Sequence, residues 1–296
     1  MGVVADVERQ LVRLRCRQEE ESGPELRTST ATHLVWAPPR WLPDARRTLR
    51  GLAERHPSRV IFLAPQPGRR DGIDAEATIR EFDLGGEREV YSEVIELHLR
   101  GTPARHPGSI VLPLLIADLP AFCRWRGKPR WDSSAFAELT AVCDRLIVDS
   151  GEWRGLPRAY GELAARFDEH LAVSDIAFRR TLPWRARLAE RWPGIAQAGR
   201  LHVEGPRAEA LLLAGWLRAR LRRDVALARR AAPELREVRV DGEPLEPPAG
   251  EPPTASDLLS AELDELRRDP VYEAAVRAAS PTTKPRQSTR HDNPAK

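Results

Sequence analysis

Lysine is almost missing from this chain. Of 47 basic residues among 296, only Lys128, Lys284 and Lys296 are lysine, and the arginines are interleaved with 44 acidic residues. The formal charge is +3 with no basic stripe, so nucleic-acid binding is disfavoured. Cysteine is scarce too: Cys16, Cys123 and Cys143 are odd in number and form no CxxC pair, which argues against a disulfide framework or a thiolate metal site. The seven histidines include no HxxxH or HExxH arrangement, so no metal centre is read. No apolar run approaches the roughly 20 residues of a membrane span, and residues 1–20 lack a secretory core segment. The expectation is a cytoplasmic protein with no membrane contact. Standard catalytic signatures are also missing: there is no GxSxG, no P-loop, no GxGxxG after a strand and no diagnostic carboxylate pair. No cofactor and no enzymatic activity are expected on that ground.

What the chain does contain is 41% hydrophobic residues in alternating strand and helix texture, enough for a sizeable core. The run 110–127, IVLPLLIADLPAFCRWRG, begins as unbroken aliphatic sequence and reads as a strand covered on both faces. DRLIVDS at 144–150 is a second such strand. Each ends on an acid, Asp118 and Asp149, and if the strands are neighbours both acids fall on one sheet edge, where α/β sheets bind ligands. Either acid could bind a ligand hydroxyl or an arginine, and either could equally cap the turn that follows.

Upstream, Val4, Val7, Leu11 and Leu14 mark an amphipathic helix over 3–20. The order strand, helix, strand over 27–64 implies a parallel pair with a right-handed crossover, and two strands within 77–100 could pair antiparallel. Downstream, SDIAFRRTLPWRARLAERW at 174–192 combines Asp175, a helix-cap candidate, with Arg180, Trp184 and Arg185 inside an arginine cluster spanning Arg179 to Arg187. Guanidinium groups pair bidentately with phosphate or carboxylate and stack on indole, so this stretch could hold a phosphorylated or carboxylate ligand; it could equally bury its aromatics and solvate its charges.

The fold expected is α/β: a mixed, largely parallel sheet with flanking helices, followed by a smaller α/β or mostly helical C-terminal domain. The divisions read are 1–26 (helix and linker), 27–152 (N-terminal α/β domain), 153–246 (C-terminal α/β domain with a buried helix at 207–222), 254–279 (helical pair) and 280–296 (disordered tail).

PLLIADLPAFCRWRG at 113–127, DRLIVDS at 144–150, SDIAFRRTLPWR at 174–185, LLLAGWLRARL at 211–221 and LLSAELDELRRDPVYEAAV at 258–276 together resemble the OpcA family, the glucose-6-phosphate dehydrogenase assembly proteins. RTSTATHLVW at 27–36 and RHPSRVIFL at 55–63 agree in order and spacing, so the resemblance covers residues 27–276. Arg124 and Phe178 stand where the family usually has tryptophan, and His33 where it tends to have asparagine. The resemblance implies a non-catalytic partner that promotes assembly of glucose-6-phosphate dehydrogenase, raises its activity and controls NADPH supply. Asp118, Arg124, Trp125, Asp149, Asp175, Arg180, Trp184 and Arg185 are the expected partner or ligand residues. The alternative is a sugar-phosphate enzyme or metabolite sensor that uses Asp118 or Asp149 with the arginine cluster.

Overall fold

The apolar stripe of the first helix, α1 (Val3–Ser22), is covered within the chain: Val7 and Leu11 are buried, with Val4 and Leu14 packed beside them. This computed structural model describes residues 2–22, 29–50, 52, 55–83, 89–167 and 171–281. The tail expected to be disordered lies outside the described residues from 282 onward, as does the segment 23–28.

Aliphatic and β-branched runs build the main sheet. Its strands are β1 (Ala31–Trp36), β2 (Ser58–Gln66), β3 (Gly72–Asp83), β4 (Glu89–Arg100), β5 (Ala121–Trp125), β6 (Arg145–Val148) and β7 (Ala172–Asp175), in the order β3-β4-β2-β1-β5-β6-β7. All neighbours are parallel except β3 and β4, which form the antiparallel pair expected over 77–100. From β1 the chain builds first toward β2 and later toward β5, so the winding direction reverses between β1 and β5.

Right-handed crossovers that run in opposite directions put their helices on opposite faces. On one face, α2 (Leu42–Arg50) sets Leu42 and Ala45 against Val35, Val60 and Phe62. The return from β4 to β5 passes through the short helices α3 (Thr102–Arg105) and α4 (Gly108–Val111). On the other face, α5 (Ser134–Thr140) and α6 (Arg158–Ala164) bury Phe136, Leu139, Tyr160 and Leu163 in one core with Leu34, Cys123 and Leu146. Trp36 and Trp125 stack there at 4.8 Å between ring centroids.

The run at 110–127 is not one strand. Ile110 and Val111 end α4, Leu112–Leu114 is a 3-10 turn with Pro113 near its start, and the strand is Ala121–Trp125. Apolar continuity is shared by buried strands and buried helical turns, and proline at the start of a turn fits the second.

Beyond β7, α7 (Ile176–Arg180) and α8 (Leu182–Glu190) follow in quick succession, with Pro183 in the first turn of α8. A second sheet of β8 (Arg200–Gly205), β9 (Ala226–Ala231), β10 (Glu237–Val240) and β11 (Glu243–Pro244) has the order β11-β10-β8-β9. The helix α9 (Arg207–Leu221) joins the two cores: Ala208 and Leu212 belong to the first, Ala210, Leu213, Ala214 and Leu217 to the second. That double duty explains its apolar residues on nearly every side. The final helices α10 (Ala255–Leu263) and α11 (Pro270–Ala279) fold back, α10 against α2 and α7, α11 against α6 and α9. Strand β7 lies past residue 152 yet completes the first sheet.

Candidate functional site

At the reversal between β1 and β5, an α/β sheet leaves a crevice beyond the carboxyl ends of its strands. Here that crevice is a cleft of about 290 Å³, roofed by α2 and α10. Strand alternation points His33 and Val35 of β1 and Arg124 of β5 onto this face, and Val35 and Arg124 are register partners. Asp149 follows β6, Glu152 lies in the next turn, and Arg180 ends α7. The turn after β1 is Ala37-Pro38-Pro39-Arg40-Trp41, with prolines where a phosphate-binding turn would need glycine, so the backbone forms no dinucleotide cradle.

The charges in the cleft are engaged with one another. Asp149 accepts two hydrogen bonds from Arg180, at 2.7 and 2.9 Å, and Arg180 donates a third through Nε to Glu209 at 2.6 Å. Glu152 accepts from Arg124 at 2.8 Å, from Arg126 at 2.7 Å, and from the backbone N–H of Gly127. Arg126 lies over the ring of Trp41, 4.6 Å from its centroid. Burial works to raise the Asp149 carboxyl, but Arg180, with Arg124 behind it, outweighs burial and holds it below the usual range. Burial also opposes the charge of Arg180, yet Asp149 and Glu209 lift its pKa above the ordinary value.

His33 is buried, and its Nε2 has no hydrogen-bond partner among the described residues. Burial first, then the positive charge of Arg124 and of His56, push its pKa down to about 3, so the ring is neutral at physiological pH.

A second cavity, of about 380 Å³, opens on the far side of α7, between α8, α9 and α11. Asp175 borders it. One carboxyl oxygen of Asp175 accepts from the N–H groups of Ser150 and Ala177, both at 2.9 Å, thereby capping α7. The other accepts from the hydroxyl of Tyr272 at 3.4 Å. Burial, and after it the charge of Asp149, raise the Asp175 pKa to about 7. Arg185 lines the same cavity, its guanidinium 3.8 Å from the centroid of the Phe178 ring.

The expected site residues therefore separate. Arg124, Asp149 and Arg180 meet in the first cleft, while Asp175 and Arg185 border the second. Trp125 is buried in the aromatic stack with Trp36, and Trp184 in the second core. Asp118 stands apart: it precedes β5 instead of ending a strand, so it lies at the opposite sheet edge from Asp149, exposed, in a left-handed turn at φ 63°. Cys123 is fully buried, and its nearby thiol together with burial raises the Cys143 pKa. The residues of the site that were not among those expected are His33, noted only as a departure from the family pattern, Arg126, Glu152 and Glu209. Arg126 in the RWR triplet and Glu152 two residues past DS were adjacent signals; nothing local marks Glu209.

Residues 50–165 match the family model described as glucose-6-phosphate dehydrogenase subunit N-terminal domain. Two curated relatives match more widely. A protein of Nostoc punctiforme is 27% identical over 183 residues, covering 57% of this chain and 39% of its own length. One of Synechococcus elongatus is 24% identical over 181 residues, covering 57% of this chain and 41% of its own length. Each is provisionally named an OxPP cycle protein OpcA.

Over these segments the chain is similar to the OpcA family.

It spans about two fifths of the length of these OpcA relatives. The matched segment 50–165 runs from the end of α2 to the end of α6, and it contains Arg124, Arg126, Asp149 and Glu152 but not Arg180, Arg185 or the second sheet.

Proposed function

We propose that this protein is a non-catalytic partner of glucose-6-phosphate dehydrogenase that promotes its assembled state and raises its activity. The match of residues 50–165 to the dehydrogenase-subunit family model carries the reading. The cleft chemistry is consistent with it. Asp149 and Glu152 are each held by guanidinium groups, and His33 is an uncharged, buried ring, so these groups serve the architecture better than proton transfer.

A partner raises activity only through differential affinity, so it must bind the active, assembled dehydrogenase more tightly than the inactive form. The consequence is a cytoplasmic control point on the oxidative pentose phosphate pathway and NADPH supply. The test is the dependence of dehydrogenase rate on glucose 6-phosphate, with and without the purified chain. The reading predicts a leftward or upward shift that saturates with added chain. An unchanged curve at excess chain removes it.

A further inference from the structure

The two cavities differ in how far their charges are neutralised. In the first, each arginine has a carboxylate within hydrogen-bond distance, so an incoming anion would have to displace a carboxylate already in place. In the second, Arg185 forms no ion pair among the described residues. Its Nε donates to the hydroxyl of Thr181 at 3.1 Å and its Nη2 to the carbonyl of Phe178 at 3.4 Å, while the Phe178 ring supports its face. These contacts fix the direction of the guanidinium without cancelling its charge. Arg220 lines the same cavity and likewise forms no ion pair among the described residues.

The acids nearby make their hydrogen bonds with other groups. Glu262 is shared by Arg145, at 3.3 Å, and Arg179, at 2.7 Å. Asp269 caps α11 by accepting from the N–H groups of Val271 and Tyr272 at 2.9 and 3.0 Å. Asp175 is a poor source of negative charge at neutral pH, since burial and then Asp149 raise its pKa to about 7. Burial lowers the Arg185 pKa to about 10, the charge of Asp269 partly offsets this, Arg179 and Arg220 add to the lowering, and the group remains a cation at neutral pH. A partly buried cation with no carboxylate in direct ion-pair contact among the described residues is costly to keep, and a ligand anion is the group that would relieve it.

We propose that this second cavity is a binding site for a small phosphomonoester, whose dianionic phosphate is held by Arg185 and Arg220. Two guanidinium groups that make no ion pair among the described residues match a dianion, and guanidinium presents paired N–H donors to phosphate oxygens. Trp216, Leu182 and Val271 supply apolar walls for the body of the ligand. A volume of about 380 Å³ suits a molecule of metabolite size. This inference does not depend on the dehydrogenase reading, because it concerns the isolated chain.

Calorimetric titration of the full chain with inorganic phosphate, phenyl phosphate and benzoate tests it, alongside melting curves of the free protein. Phenyl phosphate is expected to bind more tightly than inorganic phosphate, and both more tightly than benzoate. Arg185→Gln should weaken phenyl phosphate at least tenfold while leaving the melting temperature of the free protein unchanged or higher, since it removes a partly buried charge that makes no ion pair. A merely structural arginine would lower it. Absence of phosphate binding overturns the proposal. So do undiminished binding by Arg185→Gln, loss of binding in Arg124→Gln instead, and tighter binding of benzoate than of phenyl phosphate.

Discussion

Asp149 and Arg180 face each other through two parallel hydrogen bonds of 2.7 and 2.9 Å, linking the end of β6 to the end of α7. The same guanidinium reaches Glu209 on α9, so one side chain ties the first sheet to the helix that enters the second core. Replacing it leaves two carboxylates, 13% and 4% exposed, without their cation. Breaking a buried pair in this way costs about 3–5 kcal/mol, and the 31% exposure of Arg180 places the expected loss near the lower bound. Arg180→Ala should therefore lower the denaturation midpoint markedly. The double variant Asp149→Asn with Arg180→Gln should recover part of the loss, which a double-mutant cycle measures.

Glu152 is the counterpart on the β5 side. Its carboxylate compensates Arg124 and Arg126, which are 7% and 10% exposed, and accepts the N–H of Gly127, whose φ of 77° defines the turn after β5. Glu152→Ala should cost about 3–5 kcal/mol in urea unfolding. Arg124→Ala should cost less, because Arg126 continues to neutralise Glu152.

The buried groups His33 and Asp175 should oppose each other in pH dependence. Asp175 keeps a proton in the folded state up to about pH 7, whereas an unfolded aspartate has lost it above about pH 4, so this group makes stability fall as pH rises between those values. His33 is neutral in the folded state down to about pH 3, whereas an unfolded histidine binds a proton below about pH 6.5, so this group makes stability rise with pH across that window. Each slope is about 1.4 kcal/mol per pH unit, of opposite sign. Between pH 4.5 and 6.5, Asp175→Asn should therefore show stability rising more steeply with pH than the unsubstituted protein, and His33→Asn should show it falling. Denaturant midpoints at the two pH values measure this.

Gly215 marks the closest approach of α9 to α11. A Cβ there would lie 2.2 Å from the carbonyl oxygen of Ala275 and 2.9 Å from the Cβ of Ala279. Alanine in a free helix would gain about 1 kcal/mol over glycine, but backbone cannot yield as a flexible side chain does, and overpacking costs about 1–3 kcal/mol. The clash should win. Gly215→Ala is expected to lower the melting temperature and to raise amide exchange in 270–279 first.

Much of the architecture was legible because strands such as RVIFLA and the stripe of α1 carry their period openly. The helix α9 was recognisable as buried on several sides, and the second sheet supplies the reason. Three places failed, each for a physical cause. The aliphatic sequence at 110–116 reads alike as strand or helical turn, and that ambiguity carried Asp118 to the wrong edge of the sheet. Strand β7 is the four residues AVSD, held by pairing with β6 and not by propensity. Strand β9, ALARRA, lies almost wholly exposed and is defined by its register with β8. The site was legible in parts. Arginines and aspartates drew notice by type, but the pairings Arg180 with Glu209 and Arg124 with Glu152 join residues 29 and 28 positions apart, which only tertiary structure brings together.

The central claim is association with glucose-6-phosphate dehydrogenase, and size-exclusion chromatography with light scattering tests it most directly. The purified chain mixed with the dehydrogenase should elute as a complex whose mass exceeds that of the dehydrogenase alone, with the dehydrogenase shifted toward its larger assembly. Two separate peaks at unchanged masses, with and without glucose 6-phosphate and at concentrations well above those of a functional complex, would contradict the account.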